Sequence, residues 1–474
     1  MRDKNAETEI NRDGSFRDRI STNTEEGKRA WIHPKKPKGR FYNRRRVVAA
    51  VLLSLMFVFP WIRFKGEPFI LFNIFERKFI LFGQLFWPQD FHLVVVGIIS
   101  IIVFVILFTV IFGRLFCGWA CPQTLFMEFL FRQVEYLIDG DFNKQKKLRQ
   151  QPWNFDKIWR RTLKTVIFLL IAFALSFTFF SYIVGTDTML AVITGTPSEH
   201  YAGLAALLFF TGIIYFIYSY FREQVCLIVC PYGRLQGVLL DNKSVVVAYD
   251  YKRGEPRGKQ KAKDDTAPRG DCIDCNSCVV VCPTGIDIRN GTQLECINCT
   301  ACIDACDAIM DRAGKPRGLI RYSSEKFIAE GKGTIFNARA MAYSGFLVLL
   351  LVLLSSLFMM RTEVEATILR VPGTMFQEYG PDSYSNIYKI QLVNKTRKDM
   401  PVELKLESGE GEVIVMGDPI VVEGSKVMEA NFLLVKPATS IKSSNTPVVV
   451  GVYCEGEQIE KFPTTFIAPN SFDK

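Results

Sequence analysis

The chain has 474 residues, of which 49% are hydrophobic, 22% are charged and 39 are phenylalanine. This mixture requires apolar and charged residues to be segregated in blocks, which indicates a membrane protein with water-soluble parts. The net charge of +10 does not indicate nucleic-acid binding, because the basic residues flank apolar segments instead of forming one patch. Twelve of the 13 cysteines occur in groups, which indicates metal-thiolate chemistry in a reducing compartment rather than an oxidised disulfide scaffold.

The first part of the chain alternates between basic and apolar segments. Residues 1–46 contain 14 Lys or Arg and form a polar lead that is too long for a cleavable signal peptide. The apolar run 47–62 predicts the first membrane helix, although it is short for the roughly 20 residues that a bilayer requires. Residues 63–90 mix charges with aromatic side chains and are expected at the membrane interface. Longer apolar runs predict four further spans, at 91–112, 165–184, 202–220 and 342–360.

The charges of the connecting loops predict the topology. Loops 113–163 and 222–341 contain nine and 18 Lys or Arg, whereas 185–201 contains none. By the positive-inside rule, the two basic loops lie on the cytoplasmic side together with residues 1–46. Five spans then place residues 361–474 on the opposite, periplasmic side.

The tail has the period-two alternation of β-strands, with polar turns between short apolar segments. About 110 residues of short strands without a helical period predict an immunoglobulin-like sandwich. Its Cys454 stands alone and is expected to be buried as a small hydrophobic residue. The predicted strands are 388–393, 402–406, 413–416, 431–435 and 448–453.

Eight cysteines form two identical C-x2-C-x2-C-x3-C runs, separated by thirteen residues. This is the ligand spacing of a two-cluster ferredoxin, in which the last cysteine of each run ligates the other cluster. Zinc sites and disulfides are the alternatives, but zinc sites usually combine two C-x2-C pairs across a longer spacer. We therefore predict one [4Fe-4S] cluster on Cys272, Cys275, Cys278 and Cys306, and a second on Cys282, Cys296, Cys299 and Cys302.

Two C-x3-C-P motifs, one after the second span and one after the fourth, form an internal repeat. They are Cys117 to Pro122 and Cys226 to Pro231, with Cys121 and Cys230 as the second thiols. If the motifs are helical, each pair of thiols lies on one face and the proline ends the turn. Nearby Arg114, Arg222 and Arg234 are expected to lower the thiol pKa values. The alternative is small residues that only pack helix ends, which a paired spacing that occurs twice disfavours. The four thiols are predicted to be redox-active and to bind either copper or a third iron-sulfur cluster, because soft thiolates suit both.

Together these features predict an integral membrane protein with five transmembrane α-helices, a cytoplasmic two-cluster ferredoxin-like insert and a C-terminal all-β immunoglobulin-like sandwich. The predicted domains are the basic segment 1–46, a four-helix membrane domain 47–221, the ferredoxin domain 222–341, a fifth transmembrane helix 342–360 and the tail domain 361–474.

The combination resembles the CcoG/FixG/RdxA family of cytochrome oxidase accessory proteins along nearly the whole chain. The resemblance is carried by residues 34–46, Phe86-Trp87-Pro88-Gln89-Asp90, 117–124, 137–141, 222–236, the cluster stretch through Tyr322 and the strand-rich tail. It implies a membrane-anchored polyferredoxin of the bacterial inner membrane that reduces Cu(II) to Cu(I) for assembly of cbb-type oxidases. The expected partners are membrane lipid, oxidase assembly factors or copper chaperones, and an electron donor that the sequence does not identify.

Two other functions stay open from the sequence. A quinol-oxidising membrane ferredoxin of nitrate or nitrous-oxide respiration shares four spans, C-x3-C-P motifs and paired clusters, but the fifth span and the sandwich disfavour it. A non-catalytic assembly scaffold would have no use for redox cofactors. The oligomeric state is also open, with a homodimer among the alternatives.

Overall fold

The computed structural model describes residue 29 and residues 31–469, with short gaps. The gaps are residues 77, 88–89, 259–268, 332–337, 362–363, 372, 374, 381, 397, 425, 442 and 455. The predictions that concern residues 1–28, Pro88 and Gln89 therefore lie outside the described residues. The chain divides into two compact units. The first unit consists of Met1–Asn73 and Val95–Val352, and the second unit consists of Ile74–Val94 and Leu353–Lys474. The domain boundaries derived from the sequence stay predictions.

Helices dominate the chain up to residue 359. In chain order they are α1 Arg40–Val58, α2 Phe91–Phe112, α3 Leu115–Trp119, α4 Pro122–Phe126, α5 Arg132–Ile138, α6 Phe142–Gln150, α7 Phe155–Val184, α8 Thr186–Thr194, α9 Tyr201–Phe216, α10 Pro231–Leu239, α11 Tyr251–Gly254, α12 Ser277–Val280, α13 Ala301–Arg312, α14 Glu325–Glu330 and α15 Ala338–Met359. Short π-helical turns cover Met127–Phe131, Ile217–Phe221 and Val225–Val229.

Four helices among the described residues are long and apolar enough to cross a membrane. They are α2, α7, α9 with its extension to Phe221, and α15. These helices coincide with four of the five predicted spans. The fifth predicted span, 47–62, falls on α1 and the 3-10 turn Phe59–Trp61. Because α1 carries Arg44, Arg45 and Arg46 in its first half, it is not among the four, and the count of five stays a proposal.

Residues 63–86 form short β-hairpins. Strand β1 Arg63–Phe64 pairs antiparallel with β2 Glu67–Pro68, and β4 Lys78–Leu81 pairs with β5 Gln84–Phe86; β3 Leu71–Asn73 lies between them in the chain. Each hairpin turns through two residues with positive φ, Lys65-Gly66 and Phe82-Gly83. This is the requirement of a type I′ turn, for which glycine at the second position is favourable.

The ferredoxin stretch packs around α13 and a two-stranded antiparallel sheet of β6 Val246–Tyr249 and β7 Ile320–Ser323. Its core contains Ile303 and Met310, both 2% exposed. The stretch is hydrogen-bonded to the membrane helices, since Val245 N donates to Ile111 O at 2.9 Å. It also caps α1, because the carboxylate of Asp304 accepts the backbone N–H groups of Phe41 and Tyr42 at 3.1 and 2.8 Å. The ferredoxin stretch and the membrane helices thus belong to one unit.

The tail is a two-sheet β-sandwich. Its strands are β8 Val364–Arg370, β9 Gln377–Glu378, β10 Ser383–Asn394, β11 Met400–Leu406, β12 Glu412–Met416, β13 Val421–Val422, β14 Val427–Pro437, β15 Asn445–Cys454 and β16 Glu457–Ile467. One sheet has the order β12-β14-β10-β8, with β9 beside β10, and the other has the order β13-β11-β15-β16. All five predicted strands are confirmed and each is longer than predicted. Cys454 is buried, as expected.

A buried carboxylate neutralises two cations in the second unit. Asp90 is 1% exposed and accepts hydrogen bonds from Arg361 Nη2 and Lys395 Nζ, both at 2.7 Å. Asp90 directly precedes α2 and Arg361 follows α15 closely, so the bonds lie at the ends of two membrane helices.

Candidate iron-sulfur and thiolate sites

The two four-cysteine runs fold into loops with the same backbone conformation. In each loop the residues two and four positions after the first cysteine have positive φ. These residues are Asp274, Asn276, Asn298 and Thr300, with φ values of 54°, 55°, 50° and 65°. Asn and Asp tolerate this left-handed region, whereas it strains a β-branched residue such as Thr300. When right-handed and left-handed backbone conformations alternate along a loop, the backbone N–H groups point towards the inside of the loop and form the anion-binding concavity of many Fe–S sites. Both loops therefore fit an anionic cluster.

Each loop lines a small cavity together with one cysteine of the other run. The first cavity contains Cys272, Cys275, Cys278 and Cys306, and the second contains Cys282, Cys296, Cys299 and Cys302. These are the two groups of four that the sequence predicts. Cys278 also reaches the second cavity, so the two cavities adjoin. Much of the remaining lining is apolar, with Ile309 and Leu319 in the first and Val247 and Ile286 in the second. Which thiolate ligates which cluster stays a prediction.

Burial controls the protonation of these thiols. It raises the pKa of Cys278, Cys296 and Cys306 to about 12. A metal centre that binds the thiolates must therefore displace protons. Among the described residues, no three His, Cys, Asp or Glu side chains form a group that could hold a single metal ion. The four thiolates of a cluster bind different irons and do not need to converge on one point, so the cavities remain suited to [4Fe-4S] clusters.

Arg289 holds the first loop in place. Its guanidinium donates to Asp274 Oδ1 and Asn276 Oδ1 at 2.5 Å each, and to Asp287 Oδ2 at 2.7 Å. Two of these acceptors belong to the left-handed residues, so the bonds stabilise the turns of the loop. Arg289 is not predicted from the sequence, although its place between the two cysteine runs is a signal for such a role.

The C-x3-C-P motifs do not form the helical faces that their spacing predicts. Cys117 lies in α3, but Cys121 is extended with ψ of 126°, and Pro122 is the first residue of α4. The second motif repeats this arrangement, with Cys226 in a π-helical turn and Pro231 as the first residue of α10. The prediction that proline ends a turn is wrong. Proline begins the next helix instead, because its fixed φ suits the first helical position, where no N–H is needed.

The four thiols of the two motifs lie within electrostatic reach of one another. Cys226 lies near Cys117, Cys121 and Cys230, whose charges add to burial in raising its pKa to about 12. Burial also raises the pKa of Cys117 to about 12, although the charge of Arg114 opposes this. Arg114 thus acts on Cys117 in the predicted direction, but burial outweighs it and the net shift of the pKa disfavours the thiolate. Metal binding at this group must displace protons as well.

Hydrogen bonds tie each motif to the other. Arg114, before the first motif, donates to the carbonyl oxygens of Gly233, just after the second motif, and of Leu294 in the ferredoxin stretch. Gln123, after the first motif, donates to the carbonyl oxygen of Arg222, before the second, at 3.3 Å. The two halves of the repeat thus support one shared group of thiols.

The first motif is in direct contact with the loop that begins at Cys296. A Cβ built on Gly118 would lie 2.4 Å from Ile297 O, so only glycine permits this approach of the two backbones. Cys117 packs against an apolar cluster that includes Ile297 and Cys299. Cys117 of the first motif therefore adjoins the second candidate cluster site.

Two side chains support this contact from either side. Arg45 is 2% exposed and donates through Nε to Gly118 O at 2.9 Å. Trp119 Nε1 donates to Tyr322 OH at 3.1 Å, and Tyr322 OH donates to Asn298 O at 3.4 Å. None of these partners follows from the sequence, because each bond joins residues that are distant in the chain.

A buried ion-pair network lies beside the second motif. Arg222 forms a two-pronged pair with Glu135 at 2.8 and 2.9 Å. Glu223 lies 3.6 Å from Arg132 and 3.8 Å from Arg29. Arg222 has a φ of 54°, a strained value for a residue with a side chain, and the bonds to Glu135 offset that strain. Sequence analysis treated these residues only as loop charges.

Known proteins resemble the chain over most of its length. Protein RdxA of Cereibacter sphaeroides is 35% identical over 80% of this chain and 83% of its own. Protein RdxB of the same organism is 34% identical over the same shares. The nitrogen fixation protein FixG of Rhizobium meliloti is 38% identical over 63% of this chain and 58% of its own. This chain belongs to the FixG/RdxA family.

Three family models match successive parts of this FixG/RdxA chain. They are a 4Fe-4S binding domain at residues 94–146, a 4Fe-4S dicluster domain at 221–325, and an immunoglobulin-like fold at the C-terminus of FixG at 354–469. Together with the four apolar helices, they make this chain an iron-sulfur electron-transfer protein of a membrane with an immunoglobulin-like tail. The first two matches also contain the C-x3-C-P motifs.

Proposed function

We propose that this protein reduces Cu(II) to Cu(I) for assembly of a cbb-type cytochrome c oxidase. The observation that carries the proposal is the electrostatic proximity of four thiols, Cys117, Cys121, Cys226 and Cys230, together with the packing of Cys117 against the loop that begins at Cys296. A group of soft ligands beside a candidate redox cluster suits the capture and reduction of a soft metal. Copper is the substrate in this proposal.

The ferredoxin stretch would hold the resident cofactors. The ligand sets are Cys272, Cys275, Cys278 and Cys306 for one cluster, and Cys282, Cys296, Cys299 and Cys302 for the other. Each cluster, when bound, would supply one electron at a time, which matches the single electron that Cu(II) takes up. The left-handed loops and the apolar cavities support this assignment.

The chain's own residues would favour the Cu(I) product. Thiolates are soft ligands and stabilise Cu(I) relative to Cu(II). Cys117 Sγ donates to Gln236 Oε1 at 3.2 Å, and Gln236 is completely buried, so the thiol is oriented and shielded from water. Two thiolates suffice to hold one Cu(I), so the four thiols could pass the ion from one pair to the other. Capture of copper would release the thiol protons.

A further iron-sulfur cluster on the same four cysteines is the second candidate. It is supported by the family model for a 4Fe-4S binding domain, which includes Cys117 and Cys121. Copper would then meet the protein outside these thiols. The iron content separates the two proposals, because two [4Fe-4S] clusters contain eight irons per chain and three contain twelve.

The topology that we propose has five spans, with α1 and its 3-10 extension as the first. The basic segment and the ferredoxin stretch would face the cytoplasm, and the β-sandwich would face the periplasm of a bacterial inner membrane. Oxidase assembly factors or copper chaperones would receive the Cu(I). Alkaline phosphatase should be active when fused after Lys474 and inactive when fused near Lys263, and the reverse result would contradict the topology.

The decisive experiment uses the Cys121→Ser/Cys230→Ser variant. Dithionite-reduced protein is mixed with Cu(II) in the presence of a Cu(I)-specific chelator, and iron and acid-labile sulfide are measured. We expect eight irons per chain and no Cu(II) reduction, whereas Cys454→Ser, which removes a thiol of the sandwich, keeps the wild-type rate. A wild-type rate in the double variant would show that the C-x3-C-P thiols are not the copper site. Twelve irons in the wild type would favour the further cluster.

A further inference from the structure

A polar cavity of about 370 Å³ lies at the charged end of α7, where residues of α5, α6 and α9 also line it. Its volume is in the range of small-molecule binding sites. Its lining combines charged side chains, such as Arg149, Arg161 and Lys164, with the rings of Trp31 and Phe168. Among the described residues no cysteine lines it, so it is distinct from the thiolate sites.

Most charges of this cavity neutralise one another. Glu135 is paired with Arg222, and Asp139 is paired with Lys164. His33 Nδ1 lies 3.1 Å from Gln145 Oε1, and burial lowers the pKa of this histidine, so it is neutral at pH 7. These groups leave the cavity with little net charge.

Arg149 and Arg161 are the exception. Both line the cavity with solvent-exposed side chains, and no ion pair joins either of them to a carboxylate among the residues that the structure describes. Burial lowers the pKa of Arg149, and the positive charge of Arg161 lowers it further, so the two guanidinium groups repel each other. Arg149 also lies over the ring of Trp31, 5.3 Å from its centroid, and Arg222 lies 5.8 Å from the same centroid. An anion between the two unpaired arginines would remove the repulsion.

The position of the cavity indicates the source of the anion. Arg161, Lys164 and Phe168 lie on one face of α7, at the point where the helix changes from charged to apolar residues. Tyr220 lines the same cavity at the end of the next span, and Trp31 lies beside it. Tyr and Trp side chains concentrate at the headgroup level of a membrane. A cavity at this level meets lipid headgroups.

We propose that this cavity binds the phosphate of an anionic phospholipid, with Arg149 and Arg161 as its cationic ligands. Guanidinium groups present paired N–H donors to phosphate oxygens. Basic pockets between membrane helices bind acidic headgroups in the same way. The ring of Tyr220, which lines the cavity and is 50% exposed, offers a contact to the apolar part of the lipid, which a soluble phosphate would leave unused. The pair of Arg222 with Glu135 forms one wall, so the lipid would brace the strained turn before Cys226.

The test compares three full-length proteins, the wild type, Arg149→Gln/Arg161→Gln and Arg160→Gln. Arg160 is a matched control, because it lies next to Arg161 on α7 but already pairs with Asp156 at 2.9 Å. Each protein is placed in phosphatidylcholine nanodiscs with or without a minor fraction of phosphatidylglycerol. Native mass spectrometry measures the lipid that is retained, and thermal unfolding gives Tm.

We expect the wild type and the control to retain phosphatidylglycerol and to gain Tm from it. The double variant should retain at least about tenfold less, given the strength of hydrogen bonds to charged groups. In phosphatidylcholine alone its Tm should equal or exceed that of the wild type, because a like-charge pair has been removed. A lower Tm there would show that the arginines already have partners and would overturn the proposal.

The remaining outcomes are also decisive. Equal retention by all three proteins, or an equal loss in the control, would assign lipid binding to general surface charge and overturn the proposal. Inorganic phosphate is titrated into the phosphatidylcholine samples as a separate arm. If it raised Tm while phosphatidylglycerol did not, the site would belong to a soluble phosphate and the lipid assignment would be wrong.

Discussion

Gly118→Ala should force the first C-x3-C-P motif away from the loop between Cys296 and Cys299. A Cβ on residue 118 would lie 2.4 Å from Ile297 O and 2.9 Å from Asn298 O, and ordinary contacts begin at 3.4 Å. One of the two backbones must therefore move by about 1 Å, since both neighbouring atoms are main-chain atoms and cannot rotate away.

Neither backbone can move without cost. Gly118 O accepts a buried hydrogen bond from Arg45, and the side chain of Asn298 accepts one from Val247 N at 3.2 Å. Adding a methyl group to a well-packed region typically costs about 1–3 kcal/mol. At about 2–4 °C per kcal/mol for domains of 150–250 residues, Tm should fall by about 2–12 °C.

The functional effect should be separable from cluster loss. No cysteine is altered, so iron and acid-labile sulfide per chain should stay at the wild-type value. Cu(II) reduction by the dithionite-reduced protein should slow, because Cys117 would no longer pack against the loop of Cys296. Gly97→Ala is the matched control, since its added Cβ meets nothing within 4 Å and alanine favours the interior of α2.

An unchanged Tm together with an unchanged rate in Gly118→Ala would contradict the close approach of the two backbones. A loss of iron with a normal Tm would show that this glycine shapes the cluster site itself rather than the contact beside it. If Gly97→Ala lowered Tm and the rate of Cu(II) reduction by the same amounts, the assay would be reporting general damage to the membrane helices.

Three further predictions concern other parts of the chain. Cys282→Ser should damage the cluster held mainly by the second cysteine run, and Cys306→Ser should damage the cluster held mainly by the first. Electron paramagnetic resonance spectra in which each substitution instead damages the cluster of its own run would contradict crossed ligation. Asp304→Asn should lower the stability by about 1 kcal/mol in thermal unfolding, because its carboxylate caps α1, and an unchanged Tm would refute this role. Burial raises the pKa of Asp90, but hydrogen bonds from Arg361 and Lys395 outweigh burial and hold it below its usual 3.8. The stabilisation is thus fully present above about pH 4 and is lost only as the pH falls through the lowered pKa. Asp90→Asn should cost about 3–5 kcal/mol at pH 7 and progressively less as the pH is lowered below 4, and a cost that stayed the same at acid pH would count against the ion pairs.

The cluster cysteines could be grouped from the sequence because their spacing is a local property. Three thiols within seven residues can surround one centre only if the loop between them is tight, and Asp274 and Asn298 are residue types that permit such turns. The four long apolar runs were equally readable, since a bilayer imposes a minimum length on a helix. The first predicted span could not be identified as clearly, because its helix contains Arg45. The buried hydrogen bond from Arg45 to Gly118 O is a long-range contact that no local sequence pattern reveals.

The errors at the C-x3-C-P motifs have two physical causes. Proline can end a helix or begin one, and only the neighbouring chain decides which; here Pro122 begins α4. The pKa of a thiol depends on burial as well as on nearby charge, and the depth of Cys117 becomes known only when the motif packs against Ile297. Strands β8, β9, β13 and β16 were not predicted. In β16, Pro463 and the polar residues interrupt the apolar alternation that reveals the five predicted strands.

Each of the three thiol groups draws on two segments of the chain, but at very different separations. The two ferredoxin groups close within the 35 residues from Cys272 to Cys306, so their loop-closure entropy is small. The third group joins Cys117 to Cys226, which follow different membrane helices, and it exists only when those helices have packed. The bonds from Arg114 to Gly233 and from Gln123 to Arg222 connect the same two segments. The ferredoxin sites can therefore form from local structure, whereas the thiol site depends on assembly of the membrane helices.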